Sequence, residues 1–208
     1  MRITLVGQSY DPPHNGAAVL LQRLSRGLAQ AGHQVMVIMP SDRGRAYETL
    51  RDGIIVEGIT SLKPIPFHAE VSLTPRPAPE IRHLWNDFRP DVVHLQDHYP
   101  LCRSALAIAL ERGLPVVASS YFLPGNMTRQ FPKILRRAWT ERLLWDSVLA
   151  VMNQVQVVTT PTKTAAHILI EQGLKKRRMV ISCGVDLQEF RQDDTVDRAK
   201  LRKRYGLA

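Results

Sequence analysis

The segment Pro90-Asp91-Val92-Val93-His94-Leu95-Gln96-Asp97-His98 sets two imidazoles and a carboxylate directly after a run of β-branched and apolar side chains. Such groups exchange protons, hydrogen-bond ligands and coordinate metals. Val92, Val93 and Leu95 read as a buried strand, Pro90-Asp91 as the turn before it, and Ser104 to Arg112 as the helix after it. In open α/β sheets, ligands collect beyond the carboxyl ends of the strands, where His94, Asp97 and His98 fall. A histidine within a strand is often a hydrogen-bonded core group, so His94 is assigned a structural role and His98 a functional one. Three ligands within five residues rarely converge on a metal without a distant fourth, so no metal is expected.

Two further polar loops follow strand patterns. Pro115 to Ala118 reads as a strand ending in Ser119-Ser120-Tyr121-Phe122-Leu123-Pro124-Gly125-Asn126, and Ile3 to Val6 as a first strand followed by Gly7 to Gly16. After Gly16 comes a helix whose stripe is Ala17, Leu20, Leu21, Leu24, Leu28 and Ala31, closed by Gly32. Asn15-Gly16 therefore puts backbone N–H groups at a helix N-terminus, where a phosphate can bind. There is no G-x-G-x-x-G, and turn chemistry explains Asn-Gly equally well.

The positioning elements alternate. Val35 to Met39 is a second strand, and Ile54 to Ile59 and Ile65 to Phe67 read as short strands. The proline-rich run Thr74 to Pro79 leads into a helix over Glu80 to Phe88. Phe131 to Met152 reads as a long helix with Leu135, Ala138, Trp139, Trp145, Leu149 and Met152 on one face, Lys133, Arg136 and Arg137 pointing away, and Arg142 inside the stripe. Val155 to Val158 is a strand, Thr162 caps a helix running to Glu171, Gly173 closes it, and Met179 to Ile181 is another strand. Asp197 to Tyr205 is a charged helical segment. The alternation predicts an α/β, Rossmann-like three-layer domain with a mostly parallel sheet and right-handed crossovers.

Composition bounds the function. The 208 residues suffice for a sizeable core, and Lys+Arg exceed Asp+Glu by 28 − 19, giving +9. That charge points to an anionic partner: nucleic acid, a membrane surface or a phosphorylated substrate. Cys102 and Cys183 are far apart and outside any CxxC, which fits a reducing cytoplasm. The N-terminus turns polar too early for a signal peptide and no apolar run is long enough to cross a bilayer, so the expected location is cytoplasmic, with any membrane contact peripheral.

Taken together, Tyr10-Asp11 through Gly16, Ala31-Gly32-His33-Gln34-Val35, Asp91 to His98, Thr160-Pro161-Thr162 and Gly184-Val185-Asp186 to Phe190 resemble, in order and spacing, the N-terminal half of a family 4 glycosyltransferase with the GT-B fold. The resemblance implies an acceptor-side Rossmann-like domain over 1–190. Residues 191–208 would form an interdomain segment leading into a second, donor-binding domain absent from this chain. The implied reaction is retaining transfer of a sugar from a nucleotide-diphosphate sugar to an acceptor hydroxyl, with no cofactor and no metal. Asn15 and Gly16 would face the donor phosphates. Tyr10, Asp11, His98 and Asn126 would line the acceptor side, and His98, Tyr121 and Asp97 would carry the catalytic roles.

Three departures from the family pattern stand out. Asn15 takes the place of a glycine, Tyr121 that of a histidine, and Gly125 that of a glutamate. Tyrosine still donates a hydrogen bond, but with an ordinary pKa near 10 it is a poor base at neutral pH. The fragment alone is expected not to transfer sugar. Two alternatives stay open: a non-catalytic relative that only binds sugar, and a basic nucleic-acid module gripping phosphates through Lys175 to Arg178 and Arg202 to Arg204. Those bases are not interleaved with aromatics and no nucleic-acid motif is present, so nucleic acid is not the expected partner. The tryptophans and bases of Phe131 to Met152 suggest a peripheral contact with an anionic membrane and a lipid-linked acceptor.

Overall fold

A computed structural model describes residues 1–11, 15–62, 72–121, 123–124, 138–185, 187, 190–191 and 197–207. Eight strands form one sheet: β1 (Arg2–Val6), β2 (Gln34–Pro40), β3 (Tyr47–Arg51), β4 (Ile54–Ile59), β5 (Val92–Leu95), β6 (Val116–Ser119), β7 (Val157–Thr160) and β8 (Arg177–Val180). Their order is β3-β4-β2-β1-β5-β6-β7-β8, and every neighbouring pair is parallel except β3 with β4. Six helices are described: α1 (Gly16–Gln30), α2 (Pro77–Phe88), α3 (Pro100–Glu111), α4 (Ala138–Met152), α5 (Lys163–Glu171) and α6 (Arg198–Arg204).

The sheet is buried on both faces, which is why its central strands read as continuous apolar runs. On one side Leu21 of α1 packs with Leu5, Val37 and Val56. On the other, Trp85 of α2, Leu101 and Ile108 of α3, Trp145 and Met152 of α4 and Leu169 of α5 share a larger cluster with Val6, Leu95 and Val158. Trp85 is fully buried, yet its indole Nε1 has no hydrogen-bond partner among the described residues. Burying roughly 200 Å² of ring at about 25 cal/mol per Å² contributes about 5 kcal/mol, against about 1–3 kcal/mol for the unmade bond, so packing wins.

Helix boundaries follow their caps. Asn15 Oδ1 accepts the Ala18 N–H at 2.9 Å and Thr162 Oγ1 that of Ala165 at 3.0 Å. Gly32 (φ 84°) and Gly173 (φ 110°) turn the chain out of α1 and α5 in the left-handed region that glycine alone enters cheaply.

Several expectations need correction. Helix α2 starts at Pro77 and α3 at Pro100, because proline lacks only an N–H that the first turn cannot use. The strand β3 was not expected; it is an antiparallel edge whose mixed sequence YETLR carries little apolar signal. The last strand is Arg177–Val180, so two of the four consecutive bases lie within an exposed edge strand, where charge discourages pairing with other chains. In α1 the buried positions are Ala18, Leu21 and Ser25, one register away from Ala17. Trp139 does not share the face of Trp145: six residues rotate 600°, which leaves them about 120° apart, and Trp139 is 52% exposed while Trp145 is 5% exposed. Arg142 is exposed too. Ile65 to Phe67, Gly125, Asn126 and the approach 131–137 to α4 lie outside the described residues. No described helix is long and apolar enough to cross a membrane.

Candidate functional site at the sheet switch point

From β1 the chain moves outward to β2 and β4, then returns to place β5 on the opposite side of β1. The strand order therefore reverses between β1 and β5, the place in an open α/β sheet where ligands bind beyond the strand ends. The two loops are bonded together there: Gln96 N–H donates to Val6 O at 2.9 Å and the Gln8 N–H donates to Asp97 Oδ2 at 2.8 Å, while Gly7 N–H donates to Ile38 O of β2 at 3.1 Å. Gly7 allows this approach: a Cβ there would lie 3.0 Å from Leu21 Cδ2 and 3.3 Å from Gln96 Cβ.

Asp97 is half-buried in this junction. Its second oxygen, Oδ1, accepts the Tyr99 N–H at 2.9 Å. Burial pushes its carboxyl upward, and the Cys102 thiol and the Tyr99 and Gln8 amides pull the other way. With both oxygens on main-chain donors, the group holds two loops in register. His98 follows it, 5% exposed and stacked on the Tyr99 ring at 4.8 Å. Burial first, and then the Arg103 charge, push the His98 imidazole down to about 4. It is neutral at neutral pH and so offers one donor and one acceptor. Arg103 Nε also donates to His98 O at 2.9 Å and its NH2 group reaches Ser147 of α4, which fixes the turn.

At the neighbouring strand ends the polar groups form a chain. His94 Nε2 lies 2.7 Å from Ser119 Oγ, and Ser119 Oγ lies 2.7 Å from Thr159 Oγ1, so one line of hydrogen bonds crosses β5, β6 and β7. Burial pushes the His94 imidazole down to about 4, as it does that of His98. Burial raises the pKa of Tyr121, and the Ser119 side chain opposes the rise.

The first loop divides. Asn15 caps α1 and its Nδ2 points to Ser9 Oγ at 3.4 Å, which leaves the Gly16 and Ala17 amides without partners among the described residues at the helix N-terminus. A Cβ on Gly16 would meet nothing within 4 Å, so that position opens onto space. Tyr10 turns inward instead: it is 4% exposed, packs with Leu21, and its hydroxyl lies 3.1 Å from Ser25 Oγ. Asp11 pairs with Arg51 of β3 at 2.5 Å. Asp97 and His98 thus sit at the end of β5, tied to the first loop through the Gln8 amide, with Asn15 and Gly16 at the start of α1. Tyr121 lies past the end of the adjacent β6, while Tyr10 turns into the core and Asp11 pairs with β3.

Two groups escaped the sequence reading. Gln96 is buried and its Nε2 has no partner among the described residues, an unsatisfied donor at the switch point. Gln8 ties the first loop to the segment before α2, donating from Nε2 to Ser72 O at 2.6 Å. Their position one or two residues past a strand was the available signal. Among the described residues no three His, Cys, Asp or Glu side chains converge as metal ligands.

A family model described as Glycosyltransferase Family 4 matches residues 14–189. A GDP-mannose-dependent alpha-mannosyltransferase of Mycobacterium tuberculosis is 29% identical over 207 residues, covering 91% of this chain and 49% of the relative. An alpha-monoglucosyldiacylglycerol synthase of Acholeplasma laidlawii is 26% identical over 194 residues, covering 91% of this chain and 48% of the relative. The chain thus spans about half the length of these curated relatives. Sucrose-phosphate synthase of Thermosynechococcus elongatus superposes with a TM-score of 0.67 at 13% identity, covering all of this chain and 53% of that one. At that identity the likeness is one of fold.

Proposed function

The chain belongs to glycosyltransferase family 4, and from that premise we propose that it is the acceptor-side half of an enzyme moving a sugar from a nucleotide-diphosphate sugar to an acceptor hydroxyl, with retention. The family match over 14–189 carries this reading. The helix N-terminus at Gly16 supports it, since amides without partners among the described residues suit a phosphate held by a second domain. Transfer builds positive charge on the sugar and negative charge on the leaving phosphate, so the site has to aim donors at phosphate and hold an acceptor oxygen at the anomeric carbon. Neutral His98 and the Tyr121 hydroxyl are the groups we place against the acceptor, with Asp97 positioning the loop that carries His98. GDP-mannose is the first donor to try, because relatives are named for it.

The assay is direct. Full-length protein with GDP-mannose and, separately, other nucleotide sugars should transfer sugar to an acceptor. Residues 1–208 alone should give background rates, and Gly16→Val should raise the donor KM several-fold or abolish turnover while leaving the unfolding midpoint unchanged. Full-length protein that binds sugars but consumes no nucleotide sugar would replace this reading with that of a sugar-binding relative.

A finer proposal concerns the acceptor. Trp139 and Leu143, four residues apart on α4, are 52% and 56% exposed, and one relative is named a glucosyldiacylglycerol synthase. We place the enzyme at the cytoplasmic face of an anionic membrane, with a lipid-linked acceptor.

A further inference from the structure

We propose that the guanidinium of Arg43 is an anion contact of the acceptor site, selecting an acceptor that carries a phosphate group. This rests on the transferase reading for what the ligand is, and on geometry alone for where it binds. β2 pairs with β1, so the turn after Pro40 leaves the sheet at the same carboxyl edge as the loop after Val6. That turn is tied down. Ser41, 2% exposed, donates its N–H to Ile59 O at 2.8 Å, and its Oγ accepts the Arg43 N–H at 3.0 Å. Ser61, just past β4, donates its N–H to Gly44 O at 3.2 Å and its hydroxyl to Ser41 O. Two buried serines therefore hold an exposed turn in one shape, with Gly44 (φ 76°) reversing the chain.

The shape places Arg43. Its Cζ lies 4.2 Å from the centroid of the Tyr47 ring, and that ring lies against Gly58 of β4, where a Cβ would overlap it. Gly58 thus leaves room for the ring, and the ring carries the guanidinium on its face. Stacking uses the face of a guanidinium and leaves the N–H groups in its plane unspent. Among the described residues the Arg43 side chain makes no hydrogen bond, and Asp42 Oδ1 is 4.0 Å from its Nε. Other arginines of the fold are committed: Arg2 and Arg82 to carboxylates, Arg51 to Asp11, and Arg103 to the carbonyls of His98 and Ser147. A fixed and unspent fork matches a phosphate, which accepts two parallel N–H bonds, better than it matches a sugar hydroxyl.

The first loop reaches the same strand as Tyr47, since Asp11 pairs with Arg51 on the face of β3 that also carries Tyr47. Arg43 and His98 follow β2 and β5, the two neighbours of β1, which are two strand spacings or roughly 10 Å apart. An acceptor laid across the β1 loop therefore has its hydroxyl at His98 and its phosphate at Arg43.

Calorimetric titration of the full-length protein with glucose 6-phosphate and, separately, with phosphatidylglycerol vesicles distinguishes a soluble phosphate from a lipid headgroup. Arg43→Gln should weaken binding of one or both tenfold or more, and Arg43→Lys, which keeps the charge without the planar fork, should recover only part of the loss. Lys200→Gln removes the same charge from α6 and should change neither more than twofold. In turnover, Arg43→Gln should raise the KM of a phosphate-bearing acceptor tenfold or more and leave the donor KM and the unfolding midpoint unchanged. A loss confined to glucose 6-phosphate assigns a soluble acceptor, and a loss confined to vesicles assigns a lipid headgroup. No binding of either probe by the parent, equal binding by parent and Arg43→Gln, or an equal loss in Lys200→Gln would each overturn the proposal. Should the parent bind a probe but transfer no sugar, the transferase reading fails by itself, and the titrations still decide the Arg43 contact.

Discussion

The carboxylate of Asp97 accepts the main-chain N–H of Gln8 at 2.8 Å, and so locks the loop after β1 to the loop after β5 across the point where the strand order reverses. Its other oxygen takes the Tyr99 amide. Asp97→Asn keeps the shape but turns an NH2 group toward one of these donors. Leaving a half-buried amide unpaired costs about 1–3 kcal/mol, so the unfolding free energy should fall by up to that amount and the denaturant midpoint with it. An unchanged midpoint would show that the two loops are held without this carboxylate.

Gln96 is the opposite case, a buried carboxamide nitrogen with no partner among the described residues. Gln96→Met retains the volume and removes the unsatisfied donor, so the protein should gain about 1–2 kcal/mol in urea unfolding. In the full-length enzyme the same change should weaken ligand binding, because a group kept unsatisfied at a switch point costs stability that a bound hydroxyl or phosphate restores. Gained stability with unchanged ligand affinity would leave Gln96 without a binding role.

How far the sequence discloses this site depends on where each residue sits relative to its strand. The strand containing His94, the polar groups Asp97 and His98 past its end and the helix start at Asn15-Gly16 follow from local pattern, since apolar runs and helix starts are encoded within a few residues. The fate of Tyr10 does not, because its hydroxyl finds Ser25 only once α1 folds back over the first loop. The His94–Ser119–Thr159 line is equally illegible, for it joins residues from three strands through sheet register alone. β3 is not legible because an exposed edge strand needs no apolar alternation, and Trp139 parts from Trp145 because a spacing of six residues leaves a helix face.

Glu48 and Glu57 stand directly opposite on β3 and β4. Burial, the Glu48 charge and a hydrogen bond to Glu48 push the Glu57 carboxyl up to about 7 from 4.5. The folded state therefore keeps a proton that the unfolded chain releases from 4.5 upward, so this stability is present at low pH and lost between about 4.5 and 7. At 1.36 kcal/mol per pH unit the full shift is worth about 3 kcal/mol, and solvent screening at a sheet edge reduces the loss to about 1–3 kcal/mol. Glu57→Gln should be more stable than the parent at pH 8 by that amount and equal to it at pH 4.5. Urea midpoints at pH 4.5, 6 and 8 check this, and a variant that follows the parent's pH dependence would dismiss the pair.

The exposed pair Trp139 and Leu143 makes the membrane proposal testable at defined residues. In a crossover helix an apolar stripe normally packs on its sheet, and Trp145, Val148, Val151 and Met152 of α4 do so. Trp139 and Leu143 face away from that cluster, one turn apart, where a tryptophan can enter the headgroup boundary. The sequence just before α4 carries Lys133, Arg136 and Arg137 on a chain of net charge +9, and each base near an anionic surface adds about 1 kcal/mol. The protein should therefore co-sediment with anionic vesicles and not with neutral ones, and added salt should weaken the binding. Trp139→Ala with Leu143→Ala, or Arg136→Glu with Arg137→Glu, should each reduce it tenfold or more without lowering the unfolding midpoint. Absence of binding at low salt would remove the lipid surface from the reading and leave a water-soluble acceptor, while binding that survives the Trp139 and Leu143 changes would move the contact to another face.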